Sequence, residues 1–491
     1  MVAQKKHFLL VTVTLQGHLN PMLRLAQRLV SKGINVTIAT NNHVSSHRML
    51  KSTRAFTNNL HAAAAAQNTA PKPPGISLVF FSDGLSLEFD RNKDVDSFIK
   101  SLRTTGAKTL STLVADFIAQ DNKFSCIICN PFMPWVADIA AEYGIPCAVL
   151  WIQACTVLSV YYLYFKNFNL FPAIDENPDK SLELPAVSVL QVKDLPSFIL
   201  PSSPPIFRET LSHFFQNLDK IKWVLVNSFA EMEKEAVSFM GVLHPIYPIG
   251  PLVSPFLLGE EEKTIGSVDI WDAENSCIEW LDKKPPSSVI YISFGSISVL
   301  SQKQMDDLAM GLKNSNKPFL WVIRTAEKNS EKKGGELPAK FKEETKEKGL
   351  VVTWCPQEKV LLHQAVACFI THCGWNSALE TVVAGVPVVA YPGWTDQPTV
   401  AKFLVDVLKI GIRVKAEDEV ASAGEVERCI FEVTDGAEAK EMKKRALELK
   451  EAAKKVVADG GSSDQNITQF ISEIFLRRVK GVEEKENDEN A

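Results

Sequence analysis

Short apolar runs alternate with amphipathic segments along almost the whole chain, and this alternation predicts the fold. Apolar runs bounded by turn residues are typical of buried parallel strands, and apolar positions at a helical period predict covering helices. The predicted strands of the first half are residues 8–14, 35–40, 77–82, 124–130, 146–152 and 222–227. Those of the second half are residues 288–294, 318–323, 350–354, 368–371, 387–391 and 411–414. The pattern therefore predicts an α/β protein with two parallel sheets covered by helices.

The alternation is interrupted once, and this interruption divides the chain into two predicted domains. Residues 245–275 include a run of proline, glycine and charged residues that is typical of a linker. We therefore predict Rossmann-like domains at residues 1–244 and 276–460. An amphipathic segment at residues 461–478 is expected to pack back on the N-terminal domain, and the charged residues 479–491 are expected to form a disordered tail.

Composition and charge argue against several classes of protein. The 491-residue chain has a net charge of −5, which provides no basic surface for nucleic acid. Its N-terminal apolar run, Phe8 to Leu15, is too short to span a membrane, and no other stretch reaches that length without charge. We therefore expect a cytoplasmic protein that binds neither membrane nor nucleic acid, with a monomer as the default state.

The nine cysteines are interpreted as buried, reduced thiols, because they are odd in number and dispersed through apolar segments. Cys126 and Cys129 have the spacing of a zinc or redox motif, but no second pair of ligands accompanies them. They also lie in a run of strand formers that ends at Asn130. We interpret them as the interior of a strand that delivers Asn130 to a loop.

The loops after the strands of the second domain carry the clearest chemistry, since ligands of doubly wound sheets bind at the carboxyl ends of strands. After the strand at 368–371, a turn at 372–374 leads into a helix that begins near Asn376. Backbone N–H groups and the helix dipole make such a terminus an anion site for a diphosphate, with His372 as a further donor. Glu380 lies one turn on, within reach of ribose hydroxyls. The plainer alternative is that Asn376 and Ser377 only cap a structural helix.

Three neighbouring post-strand loops favour a nucleotide sugar as the ligand. An aromatic face stacks on a base, carboxylate and amide groups bind sugar hydroxyls, and a glycine turn accommodates phosphate oxygens. The residues concerned are Trp354 and Gln357 for the base, Trp394, Asp396 and Gln397 for the sugar, and Gly295 and Ser296 for the phosphate.

These motifs resemble a known enzyme family. The sequences WCPQ, HCGWNSALE and WTDQ, beginning at residues 354, 372 and 394, stand at the offsets of the signature box of plant family 1 UDP-glycosyltransferases. The similarity extends to GHLNP, FGS and PIGPL elsewhere, so it covers nearly the whole chain. The resemblance implies a GT-B fold, in which two Rossmann-like domains with parallel sheets face each other across a cleft. It also implies an inverting transfer of glucose from UDP-glucose, with no metal and no other cofactor.

Position within the signature box implies a role for each donor-binding residue. The implied contacts are Trp354, Cys355 and Gln357 at the uracil, Glu380 at the ribose, Ser296, His372, Asn376 and Ser377 at the diphosphate, and Trp375, Asp396 and Gln397 around the sugar. A final glutamine, as at position 397, accompanies glucose in this family. The motif Asp94-Val95-Asp96 matches the metal-binding motif of other glycosyltransferases, but we interpret it as the start of a helix.

His18 and Asn130 are the candidate catalytic residues. The resemblance assigns to the position of His18 the general base that takes the acceptor's proton, a role that suits an imidazole of pKa about 6.5. The family places an aspartate on the fourth-strand loop to hold this histidine, and Asn130 stands at that position. An asparagine brings no negative charge. If its NH₂ group faced the ring, it would also favour the tautomer that cannot accept the proton.

The missing charge suggests the chemical class of the acceptor. A phenol of pKa about 10 needs a base, whereas a carboxylic acid of pKa about 4 is already ionised at neutral pH. We therefore predict transfer to aromatic or indolic carboxylic acids, giving 1-O-acyl-β-glucose esters. The stretches NPFMPWVADIA, LPSFILP and YPGWTDQP also resemble the plant branch that glucosylates such acids.

The acceptor pocket is less well defined by the sequence. The aromatic stretch at residues 150–165 follows the fifth strand, and it suits either an apolar pocket wall or a buried helix. Besides His18, the candidate acceptor contacts are Trp151, Gln153 and Trp394.

Three alternative functions stay open. The first is O-glucosylation of flavonoid or other phenolic hydroxyls. The second is a catalytically inactive nucleotide-sugar-binding protein, which Asn130 slightly favours and His18 disfavours. The third is a dehydrogenase, which the missing glycine fingerprint after Thr14 disfavours.

Overall fold

Two parallel sheets form the framework of the molecule. The structure is a computed structural model that describes residues 6–42, 75–91, 93–171, 174, 177–260, 276–295, 300–323, 334–416 and 420–489. Each strand predicted from the apolar runs has a counterpart in one of these two sheets. The predicted α/β class and the arrangement of two Rossmann-like sheets are confirmed.

The first sheet contains seven parallel strands in the order β3-β2-β1-β4-β5-β8-β9. The strands of this half are β1 (His7–Thr12), β2 (Asn35–Asn41), β3 (Ile76–Phe81), β4 (Cys126–Cys129), β5 (Cys147–Trp151), β6 (Ser181–Leu182), β7 (Leu190–Gln191), β8 (Ile221–Val226) and β9 (Ile246–Pro248). The short strands β6 and β7 form a separate antiparallel pair. Alternate residues of β1 enter different core clusters, Leu9 on one face and Phe8 on the other, so both faces of the sheet are buried. Burial on both faces explains why the strands read as continuous apolar runs.

The second sheet contains six parallel strands in the order β12-β11-β10-β13-β14-β15. Its strands are β10 (Val289–Ser293), β11 (Phe319–Val322), β12 (Gly349–Val352), β13 (Val366–Thr371), β14 (Val388–Ala390) and β15 (Gly411–Arg413). Parallel strands require crossover connections, and helices supply them.

Helices cover both sheets. Those of the first half are α1 (Gln16–Ser31), α2 (Val95–Ser101), α3 (Ala107–Ala119), α4 (Val136–Glu142), α5 (Cys155–Lys166), α6 (Pro205–Gln216) and α7 (Lys234–Leu243). Those of the second half are α8 (Ser276–Leu281), α9 (Gln302–Ser315), α10 (Phe341–Glu344), α11 (Gln357–Leu362), α12 (Trp375–Ala384), α13 (Gln397–Lys402), α14 (Ala423–Thr434), α15 (Ala439–Val457) and α16 (Ser462–Glu489). In the part of the chain that the structure describes, no helix combines the length and hydrophobicity that a membrane span needs.

The first sheet extends into the stretch that the sequence predicts as a linker. Strand β9 pairs with β8 and forms the edge of this sheet. The pattern did not identify it, because it has three residues and ends in a proline within a segment rich in proline and glycine.

The C-terminal helix α16 packs against the first sheet. Glu473 accepts hydrogen bonds from Trp223 Nε1 at 2.8 Å and from the Tyr247 hydroxyl at 2.5 Å, and Phe470 packs edge-on against Trp223. The helix continues to Glu489, whereas the composition predicts a disordered tail from residue 479. Glutamate and lysine are good helix formers, so a charged tail that follows a docked helix can extend it.

The cysteines and the acidic motif have structural roles. All nine cysteines lie within the described residues, are buried, and are present as thiols, with Cys126 and Cys129 as the two ends of β4. Asp94 caps α2 by accepting a hydrogen bond from the backbone N–H of Ser97 at 3.0 Å. Both observations confirm the structural interpretation of these motifs. Among the described residues, no group of three or more His, Cys, Asp and Glu side chains is arranged to hold a metal.

Candidate active site

His18 lies in the first turn of α1, opposite the loops of the second sheet. The sequence Asn20-Pro21 predicts a helix that Asn20 caps and that has Pro21 in its first turn, but helix α1 begins earlier, at Gln16, and Pro21 therefore lies inside it. A proline has no N–H group to donate to the carbonyl four residues before it, so the Gly17 carbonyl receives no helical hydrogen bond from residue 21. Asn376 Nδ2 from the other domain donates to that carbonyl at 2.9 Å. This bond joins the turn that carries His18 to the start of α12.

Asn130 holds His18 in one orientation. Asn130 Oδ1 lies 3.2 Å from His18 Nδ1, and it also accepts the backbone N–H of Phe132 at 3.0 Å. Because a backbone N–H can only donate, it identifies this amide atom as the oxygen. His18 Nδ1 must therefore carry the proton, and Nε2 is left as the acceptor. The unfavourable orientation considered for Asn130 is not the one observed.

The His18 ring is neutral near neutral pH. Desolvation lowers the pKa of His18 to about 4, and the hydrogen bond to Asn130 opposes this effect only in part. Asn130 is fully buried and carries no charge, so it cannot stabilise the imidazolium as an aspartate would. The pair is therefore a well-oriented but weak base.

An aromatic wall runs from His18 to the second domain. Phe132 packs edge-on against His18 with ring centroids 5.3 Å apart, and Phe198 lies 5.8 Å from Phe132. Phe198 stacks on Phe207 at 4.3 Å, and Trp394 packs edge-on against both rings. A flat aromatic acceptor fits against such a surface. The sequence reasoning missed the three phenylalanines, although Phe132 directly follows the loop of Asn130 and was available as a signal.

Two of the predicted acceptor contacts are placed differently by the structure. Trp151 is fully buried, donates its indole N–H to the Ala154 carbonyl at 3.0 Å and packs against Phe214, so it belongs to the core and not to the cleft. Its prediction as an acceptor contact is corrected accordingly. Gln153 is buried beside the carboxylate of Asp396, on the side of the predicted sugar site.

The predicted ribose and uracil residues form one hydrogen-bonded network. Gln357 Nε2 donates to Ser377 Oγ at 3.1 Å and to Glu380 Oε2 at 2.6 Å. Gln357 Oε1 accepts from the hydroxyl of Tyr291, a buried residue that also contacts Cys355 Sγ at 3.3 Å. The sequence reasoning did not identify Tyr291, because a tyrosine inside a buried strand reads as core. Trp354 lies partly buried in the loop between β12 and α11.

The N-terminus of α12 is left open for an anion. Gly374 precedes this helix, and no side chain caps it. Asn376 bonds to Gly17 and Ser377 accepts from Gln357, so neither side chain has the capping role that was the plainer alternative. The uncapped N–H groups keep their capacity to bind phosphate oxygens. Trp375 is buried and donates its indole N–H to the Asn227 carbonyl at 2.7 Å, which fixes the helix to the first domain.

The His372 ring lies close to two glycines in space, Gly295 and Gly374. Desolvation lowers its pKa to about 4, and a hydrogen bond with the backbone of Ser293 opposes this effect only in part, so the ring is neutral. A Cβ atom at Gly374 would lie 2.5 Å from His372 Nε2, and one at Gly295 would lie 2.7 Å from the same atom. Both positions therefore require glycine if His372 is to keep its place. Ser296, the other predicted diphosphate contact of this turn, lies outside the described residues.

Replacing Gly374 by alanine is expected to weaken donor binding. The added methyl group displaces His372 from the anion site, and overpacking of this kind costs about 1–3 kcal/mol, or roughly 10–100-fold in the KM for UDP-glucose. Steady-state kinetics would measure this change. Gly424→Ala is the matched control, because a Cβ there meets nothing within 4 Å. An unchanged KM in Gly374→Ala would show that His372 does not contribute to donor binding.

Trp394 and Asp396 lie on the loop between β14 and α13, and Gln397 is the first residue of α13, whereas Trp375, the other predicted sugar residue, lies in α12. Gln397 Oε1 accepts the backbone N–H groups of Gly393 and Trp394 at 2.9 Å and 3.1 Å. Asp396 Oδ1 accepts from Thr395 Oγ1 at 2.8 Å, and burial raises the pKa of this carboxyl while the bonds to Thr395 and Gln153 lower it. The loop is thus tightly constrained before any sugar binds.

Fold and site together define a glycosyltransferase that uses a nucleotide-sugar donor, and the comparisons with known proteins agree. The family model described as "UDP-glucoronosyl and UDP-glucosyl transferase" matches residues 270–451. UDP-glycosyltransferase 84B2 of Arabidopsis thaliana is 48% identical over 470 residues, which cover 95% of this chain and 99% of that protein. Gallate 1-beta-glucosyltransferase 84A24 of Punica granatum is 40% identical over 478 residues, covering 96% and 89% of the two chains.

The solved structures show the same relationship. The crystal structure of Os79 from O. sativa in complex with UDP has a TM-score of 0.80 and 30% identity, covering 95% of this chain and 100% of that one. The chain belongs to the UDP-glycosyltransferase family and has the GT-B fold. The family resemblance predicted from the signature box is confirmed, and the dehydrogenase alternative is set aside.

Proposed function

We propose that this enzyme transfers glucose from UDP-glucose to the carboxylate of a small aromatic or indolic acid, with inversion, to give a 1-O-acyl-β-glucose ester. The observation that carries the proposal is the neutral pair of His18 and Asn130. The relative from Punica granatum, whose name describes it as a gallate 1-beta-glucosyltransferase, supports the same acceptor class.

The proposed reaction needs no strong base. A carboxylate oxygen of the acceptor attacks the anomeric carbon, the bond from that carbon to the diphosphate oxygen breaks, and UDP leaves with the electron pair. An acid of pKa about 4 is already ionised at neutral pH, so no proton has to be removed before the attack. In this proposal the open N-terminus of α12, with His372 beside it, stabilises the charge on the leaving diphosphate.

His18 has a binding role in this scheme. A carboxylate beside Nε2 favours the protonated ring, so His18 holds the acceptor through a charge-assisted hydrogen bond. The proton comes from water, and it returns to water once the neutral ester has formed. An aspartate at position 130 would place a second negative charge near the same ring and repel the acceptor. Asn130 keeps the ring oriented without that repulsion.

O-glucosylation of a phenolic hydroxyl is the second candidate. The orientation of Asn130 favours it, because Nε2 is left as a proton acceptor facing away from Asn130. The low pKa of His18, about 4, makes this ring a weak base for a phenol of pKa about 10. We therefore rank this candidate below ester formation.

The acceptor class is tested with 4-hydroxybenzoic acid, which offers both nucleophiles in one molecule. We expect the enzyme and UDP-glucose to produce mainly the ester, which mild alkali cleaves, and little of the phenolic glucoside, which resists alkali. Chromatography before and after alkali treatment measures the two products. A product mixture dominated by the alkali-stable glucoside would support the phenolic alternative instead.

The compartment and the oligomeric state stay predictions. Nine buried thiols suit a reducing compartment such as the cytoplasm. A monomer is the default expectation, and size-exclusion chromatography with light scattering would measure the state directly.

A further inference from the structure

A short segment of the first domain contacts the loop between β14 and α13 of the second domain. This loop carries Trp394 and Asp396, which are predicted sugar residues, and we call it the sugar loop. This segment, residues 192–200, consists of two single helical turns, Val192–Asp194 and Ser197–Ile199, and we call it the strap. It follows β7 and precedes α6. It includes most of LPSFILP, one of the stretches that resemble the acid-glucosylating branch, but no periodic pattern predicted its structure, because it belongs to neither a strand nor a long helix.

The first turn of the strap is anchored by a buried carboxylate. Asp194 is almost fully buried and pairs with Arg413 of β15, while Lys402 of α13 approaches it at 3.8 Å. The Asp194 carbonyl accepts the Thr399 hydroxyl at 2.6 Å. Lys402 and Thr399 both belong to α13, the helix that begins at Gln397. The anchor therefore fixes the strap to the helix that carries the end of the sugar loop.

The second turn is joined to the sugar loop by a reciprocal pair of hydrogen bonds. The Ser197 N–H donates to the Thr395 carbonyl at 2.7 Å, and the Thr395 N–H donates to Ser197 Oγ at 2.7 Å. Thr395 has a φ of 63°, a left-handed conformation that a β-branched residue rarely adopts. Such a conformation persists only where the surroundings enforce it, and here Ser197 binds both backbone groups of the strained residue.

Thr395 in turn holds Asp396, a residue that is predicted to bind the sugar. Thr395 Oγ1 donates to Asp396 Oδ1 at 2.8 Å. On the strap, Phe198 follows Ser197 directly and contacts both Trp394 and Phe132, and Phe132 lies against His18. The strap therefore contributes to the aromatic wall and contacts the sugar loop at the same time.

We propose that Ser197 is a positioning residue for the donor sugar. It holds Thr395 in its left-handed conformation and so fixes the sugar loop, while Asp194 anchors the strap. Selection of the sugar therefore depends on the acceptor-binding domain as well as on the signature box. The inference rests on one part of the proposed function, namely that Asp396 and Gln397 bind the glucose of the donor. It does not depend on whether the acceptor is an acid or a phenol.

The first test is Ser197→Ala. Loss of the hydroxyl leaves the Thr395 N–H without its acceptor, so the loop is expected to relax and the sugar to bind less well. We expect the KM for UDP-glucose to rise about tenfold or more and the preference for UDP-glucose over UDP-galactose to fall. The Kd of UDP should stay within about twofold, because the predicted uracil, ribose and diphosphate contacts lie on other loops.

Two further variants separate positioning from general destabilisation. Ser197→Thr restores the hydroxyl and should recover the native KM. Thr395→Ser in the Ser197→Ala background should recover part of it, because serine keeps the hydroxyl that donates to Asp396 and lacks the β-branch that disfavours a positive φ. Ser212→Ala is the matched control, since this partly exposed serine of α6 bonds only to Gln216 among the described contacts.

The outcomes are distinguishable. The inference is overturned if Ser197→Ala leaves the KM and the sugar preference unchanged, or if it weakens UDP and UDP-glucose to the same extent. Asp194→Asn provides a second, independent variant, because an amide is nearly the same size but loses the charge that pairs with Arg413 and Lys402. This variant should also raise the KM for UDP-glucose and lower the preference for UDP-glucose over UDP-galactose. Failure of the acid-acceptor proposal would appear instead in the products, with these donor parameters unaffected.

Discussion

Replacing His18 by alanine is expected to reduce phenol glucosylation far more than ester formation. For a phenolic acceptor the ring is the proton acceptor in the transition state, and loss of a general base costs about 10²–10⁴-fold in kcat/KM. For a carboxylic acid the ring only binds the acceptor, so its loss removes one charge-assisted hydrogen bond of about 1.5–3 kcal/mol. That loss corresponds to roughly 10–100-fold, and it should appear mainly in the KM for the acid.

The measurement is steady-state kinetics with benzoic acid and phenol as a matched pair of acceptors. His213→Ala is the control, because this histidine lies on α6 and bonds to Asn217, outside the cleft. UDP binding and the melting temperature of each variant establish that the donor site and the fold are intact. Equal losses for the two acceptors, both confined to kcat, would contradict the binding role of His18.

Replacing Asn130 by aspartate is expected to reverse the acceptor preference. The new carboxylate faces His18 Nδ1, where Asn130 Oδ1 lies at 3.2 Å, and an opposite charge at this distance raises a histidine pKa by about 1–3 units. The ring becomes a stronger base for phenols, while the added negative charge repels a carboxylate acceptor. Each effect is worth about tenfold or more, so the ratio of acid to phenol turnover should fall by about 100-fold.

The same substitution changes the pH dependence of phenol glucosylation. The pKa of His18 is about 4 in the native protein, so the ring is deprotonated and able to accept a proton throughout pH 5–8. In Asn130→Asp the folded-state pKa is higher, and the ring stays protonated to a higher pH. The acidic limb of the pH profile of kcat/KM should therefore move to a higher pH by the amount of the pKa change. An acidic limb at the same pH in both proteins would show that His18 does not govern it.

The sheets were predictable from the sequence because their strands are buried on both faces. Residues such as Leu9 and Phe8 point to opposite faces and both enter a core, so a continuous apolar run marks the strand. Strand β9 escaped the same reasoning, because three residues in a proline-rich segment carry too little pattern. The start of α1 was also misplaced, since Asn20 resembles a cap although Gln16 begins the helix.

The site was predictable where its residues follow strands, and less so where tertiary contacts place them. His18 and the described signature-box residues lie in post-strand loops or in the first two turns of the helices that follow, so their position at the carboxyl ends of the parallel strands could be predicted. The orientation of Asn130 depends on one backbone N–H of Phe132, which no sequence pattern reveals. Phe198 lies on the strap, where tertiary contacts with Phe132, Phe207 and Trp394 bring it into the aromatic wall. Trp151 was misassigned, because an aromatic residue at the end of a strand suits a core as well as a pocket.

The most direct test of the acid-acceptor account is the ratio of ester to phenolic glucoside formed from 4-hydroxybenzoic acid by the native enzyme and by Asn130→Asp. Both nucleophiles belong to one molecule, so the ratio compares the two reactions under identical conditions. We predict mainly the alkali-labile ester from the native enzyme and a shift of about 100-fold toward the phenolic glucoside in the variant. A native enzyme that forms mainly the phenolic glucoside, or a ratio that the substitution leaves unchanged, would contradict the role assigned to Asn130.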